Sequence, residues 1–317
     1  MKAIVCTKYG PPEVLQLKEV EKPTPRKNEV CIKNFATAVT GSDVLIRGAD
    51  MPIIMGLMFR LMIGFTKPRK PILGLVFAGE IESVGKDVKR FKKGDQVYGF
   101  TGFSFGAYAE YICISEEESK RGCLVMKPSN MSYEESAAAA YGGVLAPYFL
   151  EKGNIQKGQK VLIYGASGAI GTTSVQLVKN LGAEVTGICS TKNIELVKSL
   201  GADKIIDYTK EDFASRGEQY DFILDAVPNG KIDRKKLKAQ CKKALSPNGI
   251  YTSIDDGSPK LKTEYLVQLN ELIEAEHFKA VIDKTYPLEE IVEAHRYVDS
   301  GHKKGNVVIT LEHKNKT

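Results

Sequence analysis

The 317-residue sequence lacks most of the features that mark metalloproteins. Its six cysteines form no Cys-x-x-Cys pair, and none of its four histidines stands near a cysteine at a spacing typical of zinc ligands. The sequence therefore predicts no metal site, and cysteines of this kind indicate reduced thiols in a cytoplasmic protein. We expect all four histidines on the surface, at His277, His295, His302 and His313.

Long apolar runs are absent too. The start, Met1-Lys2-Ala3-Ile4-Val5, shows no secretory signal and enters a strand pattern directly. The most apolar segment, residues 52–65, is shorter than the ~20 residues needed to span a bilayer, and Arg60 interrupts it, so no transmembrane segment is expected. Methionines recur at helical spacing there, which predicts a core helix or an adaptable apolar surface; they are Met51, Met55, Met58 and Met62.

An excess of acidic residues is also missing. Lys and Arg outnumber Asp and Glu by 45 to 39, which gives a formal net charge of +6. Much of the positive excess lies in residues 231–243, a segment without the interleaved aromatic residues that stack on single-stranded bases. The segment is interpreted as a solvated helix face, and nucleic-acid binding is not favoured.

The most informative feature that is present lies between an apolar run, residues 161–164, and a helical pattern over residues 172–181. Three glycines separate them at Gly-x-x-Gly-x-x-Gly spacing. Glycine permits the tight turn and a close backbone approach to a pyrophosphate, and the following helix directs its N-terminal amides at that charge. A glycine-rich loop without a ligand is the alternative. The predicted cofactor-binding residues here are Gly165, Ala166, Ser167, Gly168, Ala169, Ile170 and Gly171.

The next predicted strand, residues 183–189, bears on which dinucleotide is bound. An NAD site usually has Asp or Glu at the end of this strand, where it binds the ribose 2′-hydroxyl. Here the strand ends in Ser190, Thr191, Lys192 and Asn193, and no carboxylate is present to repel a 2′-phosphate. The sequence therefore predicts NADPH, bound through Ser190, Thr191 and Lys192. These residues also fit a simpler role as the cap of a helix over residues 194–200.

The order of predicted elements indicates the fold class. Residues 1–126 are rich in short strand patterns, and the segment near the methionines is the one helical pattern among them. From a capping-box pattern at Ser132, strands and helices alternate up to residue 253, which predicts a doubly wound parallel sheet of the α/β class. Helices over residues 262–276 and 288–300 and a strand over 305–311 complete the chain.

Motifs along the whole chain resemble those of the medium-chain dehydrogenase/reductase superfamily, in its zinc-independent, quinone oxidoreductase-like branch. Any one of them is only suggestive, but their order is specific. They are the segments 1–5 with 9–15, 79–85 with 91–99, 106–111, the glycine turn at 165–171, 189–193 with 200–203 and 207–208, and 305–309.

This resemblance implies two domains and a set of further cofactor contacts. A GroES-like β-barrel domain would comprise residues 1–126 and 283–317, and a Rossmann domain would comprise residues 127–282. The resemblance adds five residues to the predicted NADPH site, namely Tyr208, Ala226, Val227, Gly305 and Asn306. A homodimer is possible, but the region 254–265 looks too short for the edge strand that commonly joins two subunits in the family.

The resemblance also implies the chemistry. Zinc-dependent members have a Cys and a His where this chain has Thr40 and Leu75, so no catalytic zinc is expected. The implied activity is hydride transfer from NADPH to an apolar small molecule, a quinone or an α,β-unsaturated carbonyl. Candidates for the proton donor or catalytic polar group are Thr40, Ser42 and Tyr141, with solvent as a further candidate for the proton donor. Segment 51–65 lies between two segments, 40–43 and the one at Gly74, that border the nicotinamide in the family, so we predict a mobile lid on the acceptor side, with a static core helix as the alternative. The alternative is a catalytically weak NADPH-binding protein with a redox-sensing or RNA-binding role.

Overall fold

The computed structural model describes residues 1–49, 53–119, 122–228, 233–257 and 259–313, and of residues 53–55 and 58 it describes the backbone alone. Met51, Lys231 and Ile232, which the sequence interpretation used, lie outside the described residues. The chain forms two compact units. Unit 1 contains residues 1–141, 261–270 and 282–317, and unit 2 contains residues 142–260 and 271–281.

The first part of unit 1 is built mainly from strands, as its short alternating apolar segments predicted. Its core contains inward-facing side chains of successive strands, among them Val30, Ile32, Phe77 and Leu124. The elements in chain order are β1 (Lys2–Cys6), β2 (Leu15–Glu19), β3 (Glu29–Val39), α1 (Gly41–Gly48), α2 (Ile53–Ile63), β4 (Val76–Val84), β5 (Gln96–Phe100), β6 (Tyr111–Ser115) and β7 (Cys123–Met126).

Helix α1 is an element that the sequence interpretation missed. It begins with a capping box, in which the Thr40 side chain accepts a hydrogen bond from the Asp43 amide and Asp43 accepts one from the Thr40 amide. The prediction that residues 1–126 contain one helical segment was therefore wrong. The helix is only eight residues long, too short for a clear helical period, and its cap was the signal that could have revealed it.

The second part of the chain follows the predicted alternation closely. The capping box at Ser132 is confirmed, because Ser132 and Glu135 each bond the backbone amide of the other. The elements are α3 (Tyr133–Leu150), β8 (Lys160–Tyr164), α4 (Ala169–Asn180), β9 (Glu184–Cys189), α5 (Ile194–Ser199), β10 (Lys204–Asp207), β11 (Tyr220–Asp225), α6 (Arg234–Ala244), β12 (Leu245–Ser253), α7 (Thr263–Glu274), β13 (Ile282–Pro287), α8 (Ile291–Asp299) and β14 (Asn306–Thr310).

Unit 2 is a doubly wound parallel sheet, which confirms the predicted class. Its five strands lie in the order β10-β9-β8-β11-β12, and all neighbours are parallel. The order reverses beside β8, where ligands bind in folds of this type. The glycine turn follows β8 directly, so the topology places it at this switch point. Strand β12 is an edge strand, and the residues described between it and α7 contain no further strand.

Unit 1 joins the two ends of the chain through β3. This strand pairs with β4, with β6 and with β14, and β14 pairs in turn with β13. The resulting seven-stranded sheet is accompanied by a separate two-stranded sheet of β1 and β2. The C-terminal strand thus belongs to the same body as the first 126 residues. No helix among the described residues is long and apolar enough to cross a membrane.

Candidate cofactor and active sites

The glycine turn between β8 and α4 is built so that two of its glycines could carry no side chain. A Cβ atom at Gly171 would lie 2.1 Å from the Gly165 carbonyl oxygen and 2.8 Å from Cα of Ala166. Gly165 has φ of +82°, a left-handed conformation that glycine adopts without strain. The Gly168 amide donates to the Gly165 carbonyl at 3.0 Å, which closes the turn just before α4 begins at Ala169.

The turn therefore presents the N-terminus of α4 at the end of the central strand. Gly168 is the N-cap, and its side-chain position is open, since a Cβ atom there would lie 3.5 Å from its nearest neighbour. The first amides of a helix have no partner within the helix and carry partial positive charge, so this end suits an anion. Together with the preceding turn, it is a geometry suited to a pyrophosphate.

The end of β9 lies beside this turn. Asn193 donates from its side-chain amide to the Ser167 hydroxyl at 2.9 Å. Neither Ser190 nor Asn193 caps a helix with its side chain, so the capping interpretation of this segment was wrong. Lys192 is exposed and Ser190 is half-buried.

Thr191 has a partner that the sequence interpretation did not foresee. Its hydroxyl donates to Asp207 at the end of β10, and Asp207 also accepts from the Thr209 amide and hydroxyl. These hydrogen bonds, led by that from Thr191, lower the pKa of Asp207 to about 2, so it is ionised at neutral pH. The hydroxyl proton of Thr191 is thus already donated to Asp207. Binding of the phosphate by Thr191 stays a prediction, with less support than binding by Ser190 and Lys192.

The remaining predicted contacts of unit 2 lie at the ends of neighbouring strands. Tyr208 follows β10 and is exposed, with its ring 6.4 Å from that of Tyr164. Ala226 and Val227 follow β11, and a Cβ at Gly165 would lie 2.8 Å from the Val227 side chain. The carboxyl ends of four parallel strands therefore bring these residues to one edge of the sheet.

Arg234 corrects the interpretation of the basic segment. Helix α6 confirms a helix there, but Arg234 faces inward: it forms ion pairs with the buried Asp225 and with Asp255, and it donates to the Val227 carbonyl. The first cation of the helix is thus structural, whereas Lys242 and Lys243 are exposed as expected. Gly305 and Asn306, the other predicted cofactor contacts, lie at the start of β14 in unit 1.

The three predicted catalytic side chains lie together in unit 1. The hydroxyls of Ser42 and Tyr141 are 2.7 Å apart, and the Thr40 side chain acts on the pKa of Tyr141. Tyr141 is buried and stacks against the Phe100 ring at a centroid distance of 6.1 Å. Burial raises the pKa of Tyr141 to about 12, so the phenol keeps its proton at neutral pH.

A chain of buried polar groups continues inward from Thr40. Thr40 donates to Asp43 at 2.6 Å, the Tyr108 side chain lowers the pKa of Asp43 and so partly offsets its burial, and the Tyr108 hydroxyl lies 3.2 Å from Nε2 of His295. Asp43, Tyr108 and His295 are fully buried. Burial raises the pKa of Asp43 to about 7 and lowers that of His295 to about 3, since each group loses its hydration in the charged form.

The burial of His295 corrects the expectation that all four histidines lie on the surface. His277 and His302 are exposed and His313 is half-buried, but His295 has no exposed area. It lies on the inner face of α8, where its ring meets that of Tyr108 edge-on at 5.7 Å. A neighbouring buried cation, Arg47, pairs with Asp299 of the same helix at 2.9 Å. The helical period of residues 291–298 was the signal that could have placed His295 inward.

The positions that correspond to zinc ligands in the resemblance are occupied by other contacts. Thr40 is the cap of α1, and Leu75 is buried beside Gly74. Within the described ranges, no group of three or more His, Cys, Asp or Glu side chains could hold a metal ion. All six cysteines are free thiols, and five of them are buried.

Helix α2 confirms the helical spacing of the methionine-rich segment, but it is not a plain core helix. Ile63 is buried, and the Phe59 ring lies 6.5 Å from that of Tyr9. Met62, by contrast, is 62% exposed, and so are Leu57 and Leu61, at 50% and 59%. The side chains of Met55 and Met58 lie outside the described part, and the lid role stays a prediction.

Sequence comparisons identify the two parts of the chain. Residues 26–126 match the profile described as alcohol dehydrogenase GroES-like domain, and residues 169–252 and 257–309 match two profiles described as zinc-binding dehydrogenase. The first match confirms the GroES-like prediction for the N-terminal region, and the second covers α4 to β12 of the parallel sheet.

Whole-length relatives point the same way. The chain is 32% identical to the 2-methylene-furan-3-one reductase of Solanum lycopersicum, over 98% of this chain and 79% of that protein. It is 29% identical to the chloroplastic NADPH-dependent alkenal/one oxidoreductase of Arabidopsis thaliana, with the same two coverages of 98% and 79%. Since that relative is chloroplastic, the cytoplasmic location of this chain stays a prediction.

Among solved structures, the quinone oxidoreductase from Coxiella burnetii is similar over nearly the full length. The TM-score is 0.82 at 26% identity, and the match covers 98% of this chain and 99% of that one. The sheet order of unit 2 and the sheet that joins both chain ends in unit 1 support the same family assignment as these relatives. The chain belongs to the medium-chain dehydrogenase/reductase superfamily of oxidoreductases and is quinone oxidoreductase-like.

Proposed function

We propose that this protein is an NADPH-dependent reductase of quinones or α,β-unsaturated carbonyls that works without zinc. The observation that carries the proposal is the glycine turn of unit 2, followed by a strand, β9, that ends without a carboxylate. The names of the relatives support the reaction class, since they include an alkenal/one oxidoreductase, a furanone reductase and a quinone oxidoreductase.

The cofactor site is proposed on the fit of the turn. Gly171 and Gly165 leave room for no side chain, so backbone atoms line the turn, and the amides at the start of α4 would hold the pyrophosphate. Lys192 and Ser190 would bind the 2′-phosphate, for which an ammonium and a hydroxyl are suitable donors. The carboxylate of Asp207 would repel the 2′-phosphate, but its oxygens already accept hydrogen bonds from Thr191 and Thr209. When bound, NADPH supplies the hydride.

Reduction of a C=C bond also needs a proton, which comes from a side chain or from solvent. Tyr141 is the proposed donor because it is protonated at neutral pH and its hydroxyl is held by that of Ser42. The buried carboxyl behind Thr40 would orient this pair, because Asp43 accepts hydrogen bonds from both the hydroxyl and the amide of Thr40. A reaction of this kind needs no Lewis acid, which agrees with a hydroxyl and an aliphatic side chain at Thr40 and Leu75.

The experiment that tests the function is turnover with a panel of quinones and enones, followed by the loss of the reduced nicotinamide absorbance. We expect oxidation of NADPH with at least one acceptor class, unchanged by a chelator and with no stoichiometric zinc in the purified protein. Cofactor binding without oxidation across the panel would favour the alternative of a catalytically weak sensor. Loss of turnover on chelation, restored by zinc, would refute the metal-free reaction.

The proton donor has a test of its own. Tyr141→Phe removes the hydroxyl and keeps the ring against Phe100. We expect a 10²- to 10⁴-fold lower kcat with enones, the range typical of a lost general acid, with NADPH affinity unchanged. Tyr148→Phe, two turns further along α3, is the matched control and should leave kcat intact. Equal kcat for both variants would leave solvent or Ser42 as the donor.

The RNA-binding alternative loses support from the structure of α6. Its first cation, Arg234, is bound to Asp225 and Asp255, which leaves fewer charges facing solvent than the sequence suggested. The homodimer also stays a prediction. It would need a contact other than an additional strand after β12, since the residues described there contain none.

A further inference from the structure

Helix α2 of unit 1 is apolar on both of its faces. One face packs on the protein: Phe59 and Arg60 lie against the Tyr9 ring, Tyr9 donates to the Gly64 carbonyl at 2.7 Å, and Ile63 is buried. The opposite face does not. Leu57 and Leu61, four residues apart and so on one side of the helix, are 50% and 59% exposed.

The exposed apolar side chains continue to the last turn of the helix and just past its end. Met62 is 62% exposed and Phe65 is 57% exposed. Large apolar side chains exposed singly are ordinary, but four of them within nine residues form a patch of the kind that marks an interaction site. Within the described part of the chain, this helix combines an anchored inner face with an apolar outer face.

The charge of this region is all of one sign. Residues 51–79 contain four cations, Arg60, Lys67, Arg69 and Lys70, and no Asp or Glu. Three of the cations, Lys67, Arg69 and Lys70, are exposed in the loop that follows Phe65 directly. An interfacial helix binds a bilayer with anionic headgroups through apolar side chains flanked by basic residues. The apolar side chains are buried in the bilayer while the basic residues are attracted to the headgroups, and the two effects act together.

A second copy of the chain fits this surface less well. In a symmetric dimer the same patch meets itself, so the cations of one subunit would face those of the other. A helix of 11 residues is about 16 Å long, which allows it to lie along a membrane surface but not to cross it.

We propose that the α2 surface, formed by Leu57, Leu61, Met62, Phe65, Lys67 and Arg69, docks on membranes that contain anionic lipids. The outer face of α2 enters the headgroup region, and the loop cations pair with lipid phosphates and carboxylates. This surface would bring the protein to the phase in which apolar small molecules dissolve. The proposal goes beyond the reductase activity and does not depend on it.

The test is co-sedimentation of the full chain with lipid vesicles. We expect sedimentation with vesicles of phosphatidylcholine and phosphatidylserine, little with phosphatidylcholine alone, and release when salt is raised. The double variants Leu61→Gln/Met62→Gln and Lys67→Glu/Arg69→Glu should each bind at least tenfold more weakly. All four side chains are exposed, so the circular dichroism spectrum and thermal midpoint should not change.

Two matched controls locate the effect. Leu181→Gln replaces an equally exposed leucine, at 50%, after α4 in unit 2, and Lys242→Glu/Lys243→Glu reverses two exposed cations of α6. Both should bind vesicles like the unmodified chain. The proposal is overturned if the unmodified chain does not sediment with anionic vesicles, or if the α6 variant loses binding as much as the α2 variants. It is also overturned if sedimentation velocity shows a dimer that Leu61→Gln/Met62→Gln dissociates while vesicle binding persists.

Discussion

The glycine turn of unit 2 and the buried polar chain of unit 1 are two ways of building a site. The turn is made of backbone within seven consecutive residues, from Gly165 to Gly171, and its shape depends on side chains that are absent. The polar chain runs from Tyr141 through Thr40, Asp43 and Tyr108 to His295, side chains from distant parts of the sequence. A local backbone site leaves a spacing in the sequence, whereas a site of long-range side-chain contacts leaves none.

The largest expected effect tests whether the turn depends on missing side chains. Gly171→Ala places a methyl group 2.1 Å from the Gly165 carbonyl oxygen, and no flexible side chain can move to make room. We expect the free energy of unfolding to fall by about 3 kcal/mol or more, at the upper end of overpacking effects. Urea unfolding measures it.

Gly168→Ala is the internal control, because its added methyl group would meet its nearest neighbour at an ordinary 3.5 Å and φ is −81°. Its free energy of unfolding should change by less than about 1 kcal/mol. If the two alanine variants were equally stable, the close approach at Gly171 would not be what shapes the turn.

The next effect concerns what the turn and the end of β9 recognise. Lys192→Ala removes an exposed ammonium whose proposed partner is the 2′-phosphate, so affinity for NADPH should fall by about 10- to 100-fold while that for NADH barely changes. Calorimetric titration with both cofactors measures this. Lys198→Ala, in α5, is the control and should affect neither. Equal affinities of the unmodified protein for NADPH and NADH would remove the basis of the assignment.

The smallest effect tests the buried chain through its two titrating members. His295 has its pKa lowered to about 3 from the ordinary 6.5, so the unfolded state binds more protons between these values and stability rises with pH there. Asp43 has its pKa raised to about 7 from the ordinary 3.8, so the folded state binds more protons and stability falls as pH rises through that window. The two slopes oppose each other between about pH 4 and 6.5.

Replacing one of these two groups should therefore reveal how the other makes stability depend on pH. Relative to the unmodified protein, His295→Phe should make stability fall more steeply with rising pH, by up to about 1.4 kcal/mol per pH unit. Asp43→Asn should make stability rise with pH by a similar amount. Urea unfolding from pH 4.5 to 6.5 gives both differences. Parallel pH profiles for the three proteins would show that neither group titrates differently in the folded and unfolded states.

Comparison of the two sites also explains what could be predicted from sequence. The alternation of strands and helices after Ser132 and the turn at Gly165 depend on local patterns, and both matched the structure. The inward direction of His295 depends on which face of α8 packs against Tyr108, 187 residues away in the chain. The Asp207–Thr191 contact was missed for the same reason, since it joins the ends of two different strands.

Helix α1 was missed for a different reason. It has eight residues, and its capping box, Thr40 to Asp43, uses Asp where the familiar pattern has Glu or Gln. In the case of Thr40, Ser42 and Tyr141, the resemblance rather than the spacing brought them together, and the structure shows the hydroxyls of Ser42 and Tyr141 in contact. Their catalytic roles stay predictions that the Tyr141→Phe experiment addresses.

The pairing of β14 with β3 has a consequence for synthesis of the protein. Val39 of β3 pairs with Val307 of β14, so this edge of β3 waits for its partner until Val307 has been made. At the usual rate of translation, that interval is roughly 15 to 50 seconds. During it the β3 edge displays unpaired amides and carbonyls that other chains could bind. Unit 2, which needs nothing beyond residue 281, has all its residues before then. We therefore expect the β3 edge, rather than unit 2, to be the part of a newborn chain that most needs protection from other chains.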